Sequence, residues 1–217
     1  MKNNSKIKVV IFDMDGVLIE AKDWHYESLN KALRLFGFNI SRHEHLTSYD
    51  GLPTKRKLEL LSLESGLPKE LHNFISEMKQ AYTMDMLHTL CRPKFVHEYA
   101  LSRLKSAGYK IAVASNSIRT TIDVMMDKAR LSPYLDVKFS AEDVVMGKPD
   151  PEIYIKTIEH FRVRPDQCLI VEDNENGIKA ARASGAYVLE VREVTDTNIE
   201  NIMARINQIN ASNEQVA

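Results

Sequence analysis

Five short apolar runs constrain the fold more than any other feature of the chain: Val9 to Phe12, Ile111 to Ala114, Val137 to Phe139, Leu169 to Val171 and Val188 to Val191. Each is rich in Val or Ile, too short for a helix and closed by polar or small residues, which is the pattern of a buried strand in a parallel sheet. Between them lie stretches with helical spacing. Phe95 to Ala107 ends at Gly108, Thr120 to Ala129 precedes Leu131 and Pro133, Glu152 to Phe161 follows a proline, and Asn176 to Ser184 ends at Gly185. Glycine beyond a helix and proline at its start are stop and start signals. Strands alternating with helices predict an α/β doubly wound parallel sheet with right-handed crossovers.

One interval breaks the alternation. Between Ala21 and Met86 no buried strand is legible, but Trp24 to Phe36, Thr54 to Ser65 and Lys69 to Met86 have helical spacing. The predicted organisation is therefore an α/β core from residues 1–20 and 87–217, with a helical cap, 21–86, inserted after the first strand. A cap in that place could act as a lid. The last ten residues, less the first members of QINASNEQVA, are polar without a core face and are expected to form a frayed tail. The two cysteines, Cys91 and Cys168, share no metal or redox spacing, the N-terminus has no secretory pattern, and no run of about 18 apolar residues occurs. A cytoplasmic protein is expected. A net charge of −1 offers no basic footprint. Neither nucleic acid nor membrane is expected as a partner, and a monomer is expected, with a dimer as the alternative.

In open α/β sheets ligands bind beyond the carboxyl ends of the strands. There the first strand delivers Asp13-Met14-Asp15-Gly16, the second Ser115-Asn116-Ser117 and the fourth Glu172-Asp173-Asn174, with Gly147-Lys148-Pro149 in the preceding connection. Alone, each is an ordinary cap or turn. Together they match phosphoryl transfer. Clustered carboxylates repel one another, so Asp13, Glu172 and Asp173 make sense around a divalent cation, and an oxygen-only set in a phosphate site suggests Mg²⁺. Lys148 and the Ser115 hydroxyl suit the phosphoryl oxygens.

Four segments, DMDGVL at 13–18, ASN at 114–116, GKPDPEIY at 147–154 and VEDNENGIKAA at 171–181, resemble the haloacid dehalogenase superfamily, within it the phosphatases and β-phosphoglucomutases with a helical cap. The resemblance spans nearly the whole chain. It implies a Rossmann-like core in which Asp13 attacks phosphorus to give an aspartyl-phosphate, while Asp15 protonates the leaving oxygen and later activates the acceptor. It further implies that Ser115 and Lys148 bind the phosphoryl group and Asn116 the substrate. Asp13, the backbone carbonyl of Asp15, Asp173 and Glu172 are implied around Mg²⁺. Asp15 favours phosphate chemistry over carbon–halogen cleavage, because a halide leaves without a proton.

The cap segment Tyr49 to Lys57 keeps the glycine of the mutases as Gly51, but Thr54 stands at their arginine position, with Lys55 and Arg56 adjacent. His25 matches a mutase histidine. The expected substrate-binding set is thus Asn116, His25, Gly51, Thr54, Lys55 and Arg56, and the expected function is Mg²⁺-dependent hydrolysis of a small phosphorylated metabolite, a phosphosugar first. A phosphosugar mutase is the alternative. From another class, a phospho-receiver domain is disfavoured by the helical insertion, and a non-catalytic binding module by the complete set of acids, Ser and Lys. His43-Glu44-His45 lacks a third ligand nearby and reads as surface.

Overall fold

The computed structural model describes residues 6–214. Two compact units divide it, one from residues 6–20 and 92–214, the other Ala21–Cys91.

Among the described residues of the first unit, five parallel strands, β1 (Val9–Phe12), β2 (Lys110–Ala114), β3 (Val137–Phe139), β4 (Cys168–Glu172) and β5 (Tyr187–Glu190), lie in the order β3-β2-β1-β4-β5. Alternate residues face opposite sides of a sheet. One side carries Val9, Ile11, Ala112, Ala114, Cys168 and Ile170, which pack against Ile153, Tyr154 and Ile158 of helix Glu152–His160 and against Ala180 and Ala181 of helix Glu175–Ala183. The alternating set Val10, Phe12, Ile111, Val113, Leu169 and Val171 is equally buried. The three central strands carry the core. The edge strands β3 and β5 are half-buried, which corrects the expectation of five buried strands. Helix Ile199–Glu214 buries Ile202, Ile206 and Ile209 and carries the expected tail as regular helix as far as Glu214, a second correction. Residues 215–217 of the expected frayed segment lie outside the described residues.

The second unit is helical. Helices Lys22–Arg34, Thr54–Ser65 and His72–Leu90 enclose Leu29, Leu33, Ile40, Leu58, Leu61 and Ile75. The third of these runs four residues beyond Met86. Asn30 is buried and clamps the chain at Ile40, accepting from its N–H at 2.8 Å and donating to its carbonyl at 3.0 Å. Among the described residues no helix is long and apolar enough to cross a membrane.

His45 departs from the surface reading. His43 and Glu44 are exposed, but a π turn over His45–Tyr49 rotates His45 inward, where it packs at 5.0 Å from the Tyr26 ring. Burial, then the positive charge of Lys57, lowers its pKa to about 4, with Arg42 and His25 acting in the same direction and Asp50 against them. A histidine in the unfolded chain titrates near about 6.5. The folded state therefore binds the proton more weakly, and stability falls as pH drops from about 6.5 towards about 4. His45→Gln is expected to flatten that acid limb in urea denaturation; an unchanged limb would place the titration elsewhere.

Candidate active site

The chain runs from β1 to β2 and β3 on one side, then returns past β1 to β4 and β5 on the other, so strand order reverses between β1 and β4. That reversal opens a crevice at the carboxyl ends. Phe12 is level with Val113 and Val171, which brings the next residues, Asp13, Ala114 and Glu172, to one height. Asp13 is locked there by its N–H, which donates to Val171 O at 3.0 Å.

Lys148 ties the two acid-bearing strands together. Its buried ammonium donates to Asp13 Oδ1 at 2.6 Å and to Glu172 Oε1 at 2.7 Å. Asn116 holds the Lys148 backbone at both ends, accepting from its N–H at 3.0 Å and donating to its carbonyl at 3.2 Å. The Lys148–Pro149 bond is cis. Asn116, read in the sequence as a substrate contact, thus directs its amide to the loop that carries the lysine. Ser115 is buried, its N–H donating to Phe139 O at 3.1 Å and its Oγ accepting from the Ser117 N–H at 3.1 Å. Asp15 is half-buried, and its Oδ2 accepts from the Ser117 hydroxyl at 3.0 Å. Gly16, at φ +91°, lets the chain double back so that its N–H reaches Ile19 O at 2.7 Å.

Glu172 is fully buried and both its oxygens accept hydrogen bonds. Oε1 takes Lys148 and, at 2.6 Å, the Tyr154 hydroxyl; Oε2 takes the Asp173 N–H at 3.0 Å, with Asn174 Nδ2 at 3.5 Å. Gly177 lies against this carboxylate, close enough that a Cβ on it would fall 1.8 Å from Oε1. Burial pushes the Asp13 carboxyl well above the ordinary range; Lys148 pulls it down, and Glu172, Asp173 and Asp15 push it up. Burial alone would lower the Lys148 ammonium, but Asp13 and Glu172 outweigh it and raise its pKa, so it stays charged.

One oxygen each from Asp13, Glu172 and Asp173 lie within 4.8 Å of one another. These are hard donors carrying an excess of negative charge over the single ammonium, and such a set fits a small divalent cation.

Within the helical unit, His25 Nδ1 lies 3.2 Å from Lys79 Nζ, and Gly51 has φ +70° in a turn where Asp50 pairs with Lys22 at 3.7 Å. Thr54 opens helix Thr54–Ser65. Lys55 and Arg56 are exposed, Arg56 pairing with Glu59 at 3.0 Å, whereas Lys57 is buried. The basic residue turned inward on that helix is therefore one position beyond the expected pair.

Three residues of the site stood in the sequence without a role of their own: Ser117, as a neighbour of Ser115 at the strand end, and Tyr154 and Gly177, inside the resembling segments, both of which act through Glu172 at 18 and 5 residues' separation.

Residues 10–191 match the family described as haloacid dehalogenase-like hydrolase. A phosphorylated carbohydrates phosphatase of Thermotoga maritima is 28% identical over 179 residues, 82% of each chain. A phosphoglycolate phosphatase of Aquifex aeolicus is 28% identical over 180 residues, again 82% of each. Among solved structures, a β-phosphoglucomutase from Clostridium difficile superposes with a TM-score of 0.80 over 93% of this chain and 98% of that one, at 23% identity, a likeness of fold.

Proposed function

The chain belongs to the haloacid dehalogenase-like hydrolases, and on that premise we propose that it is a Mg²⁺-dependent phosphatase of a small phosphorylated metabolite, a phosphosugar first, working through an aspartyl-phosphate at Asp13. The observation that carries this reading is the buried Asp13–Lys148–Glu172 triad at the strand reversal, with a separately held acid, Asp15, two residues beyond Asp13.

The roles divide by environment. Asp13, fixed at the end of a central strand, attacks phosphorus, and the bond from phosphorus to the ester oxygen breaks. Asp15 gives that oxygen its proton, then takes one from the water that attacks the aspartyl-phosphate and frees inorganic phosphate. The Ser117 hydroxyl steadies Asp15 for both transfers. Ser115 and the third donor of Lys148 hold phosphoryl oxygens, and Glu172 fixes Lys148. Mg²⁺, held by Asp13, Asp173 and the Asp15 carbonyl, would supply positive charge that screens the nucleophile from the phosphoryl oxygens.

Substrate choice falls, in this reading, to the helical unit, with His25, Gly51, Thr54, Lys55 and Arg56 as its candidate residues. The names of the two phosphatase relatives support a phosphorylated carbohydrate or small phosphorylated acid. Thr54 in place of the mutase arginine favours water as acceptor.

A panel of phosphosugars and other phosphate esters, assayed with Mg²⁺ for released phosphate, tests the proposal. Chelation is expected to abolish turnover, and Ca²⁺ to inhibit, because its larger and looser coordination misplaces Asp13. Full turnover in metal-free buffer would sink the metal-dependent reading. With β-glucose 1-phosphate and glucose 1,6-bisphosphate, rapid glucose 6-phosphate formation without phosphate release would replace the phosphatase by a mutase.

A further inference from the structure

The Lys148 ammonium is enclosed on three sides. Asp13 Oδ1 lies at 2.6 Å, Glu172 Oε1 at 2.7 Å, and the Tyr154 ring centroid at 4.7 Å. Tyr154 therefore touches this centre twice, with its ring against the cation and with its hydroxyl, which donates to the same Glu172 oxygen at 2.6 Å. Both Tyr154 and Glu172 are fully buried, so water does not replace either contact.

We propose that Tyr154 is a positioning residue for phosphoryl transfer: its hydroxyl anchors Glu172 Oε1, and through that carboxylate it fixes the Lys148 ammonium on Asp13. The inference rests on the phosphatase reading above. An ammonium shared between two carboxylates sits where their pulls balance. With the Tyr154 hydroxyl in place, Glu172 Oε1 divides its acceptor capacity between two donors and is held from the far side by a rigid ring. Without it, the whole of that oxygen turns to Lys148 and draws the ammonium away from Asp13 and from the phosphoryl group. Donors aimed at developing charge act by being fixed beforehand, so the loss falls on the transition state more than on bound substrate.

Tyr154→Phe isolates the hydroxyl, because the ring keeps its volume and its face towards Lys148. Loss of a hydrogen bond to a charged group that acts on the transition state lowers the rate about tenfold or more. The expected result is a kcat about tenfold lower with KM changed less than about twofold. Calorimetry supplies a readout besides turnover: with Mg²⁺, orthovanadate, which adopts the five-coordinate geometry of transfer, is expected to bind about tenfold more weakly, while inorganic phosphate binds as before. Unchanged kcat and vanadate affinity would overturn the proposal, and so would an equal weakening of phosphate and vanadate, which marks ground-state binding. A wild-type protein that neither hydrolyses esters nor binds vanadate would instead remove the phosphatase reading, and this inference with it.

Discussion

Asp13→Asn is expected to lower phosphate release by on the order of 10⁴-fold or more, with a melting temperature in metal-free buffer no lower than that of the wild type. The two halves have one cause. Asp13 is buried among Asp15, Glu172 and Asp173, and its carboxyl is raised by burial and by those charges, which only Lys148 opposes. Asparagine keeps the oxygen that accepts from Lys148 and removes one negative charge from the cluster, leaving the Lys148–Glu172 pair one to one. An amide oxygen is a poor nucleophile, and no neighbouring group stands at the same strand end to replace it. Loss of turnover with retained or raised stability is the mark of a site strained for function. Phosphate release measured beside thermal unfolding checks both halves; a near wild-type rate would show that the aspartyl-phosphate does not form at Asp13.

The sequence made legible what depends on local pattern. The three central strands are continuous apolar runs, and Asp13, Ser115 and Glu172 were legible as site candidates because each lies at or just beyond a strand's carboxyl end, where the topology gathers them. What depends on the third dimension was not legible. β3 and β5 read as buried like the inner strands although Lys138 and Glu190 interrupt their apolar character, and the topology puts both at the edges. Helix Ile199–Glu214 continues through the Asn, Ala and Ser residues that read as tail, anchored by the buried Ile202, Ile206 and Ile209 ahead of them. His45 and Lys57 turn inward through a local π turn and a helix phase that residue type does not reveal. Glu172 reads as a metal acid and stands in the acidic cluster with Asp13 and Asp173, but its bonds to Lys148, Tyr154 and the Asp173 backbone were not legible. Clustering follows from spacing; the choice of partner inside the cluster does not.

Gly177→Ala sets helix propensity against contact, and the magnitudes decide between them. Gly177 lies in helix Glu175–Ala183 with ordinary helical backbone, so alanine there should gain about 1 kcal/mol from propensity alone. Its Cβ, however, would fall 1.8 Å from Glu172 Oε1, 2.1 Å from Cδ and 2.3 Å from Oε2, inside the carboxylate itself. Glu172 is fully buried at the end of a central strand, and its movement breaks the bonds to Lys148 and Tyr154. Separating a buried ion pair costs about 3–5 kcal/mol, and overpacking adds about 1–3. The contact outweighs propensity several times over. Gly177→Ala is therefore expected to lose about 3 kcal/mol or more of stability in urea denaturation and, where folded, at least about 100-fold in kcat, since Lys148 no longer sits on Asp13. Lys179→Ala, on the exposed side of the same helix, loses only a surface pair with Glu175 and should change neither by a measurable amount. A Gly177→Ala protein as stable and as active as the wild type would mean that Glu172 does not lie under this helix, and the placing of Lys148 on Asp13 by Glu172 would fall with it.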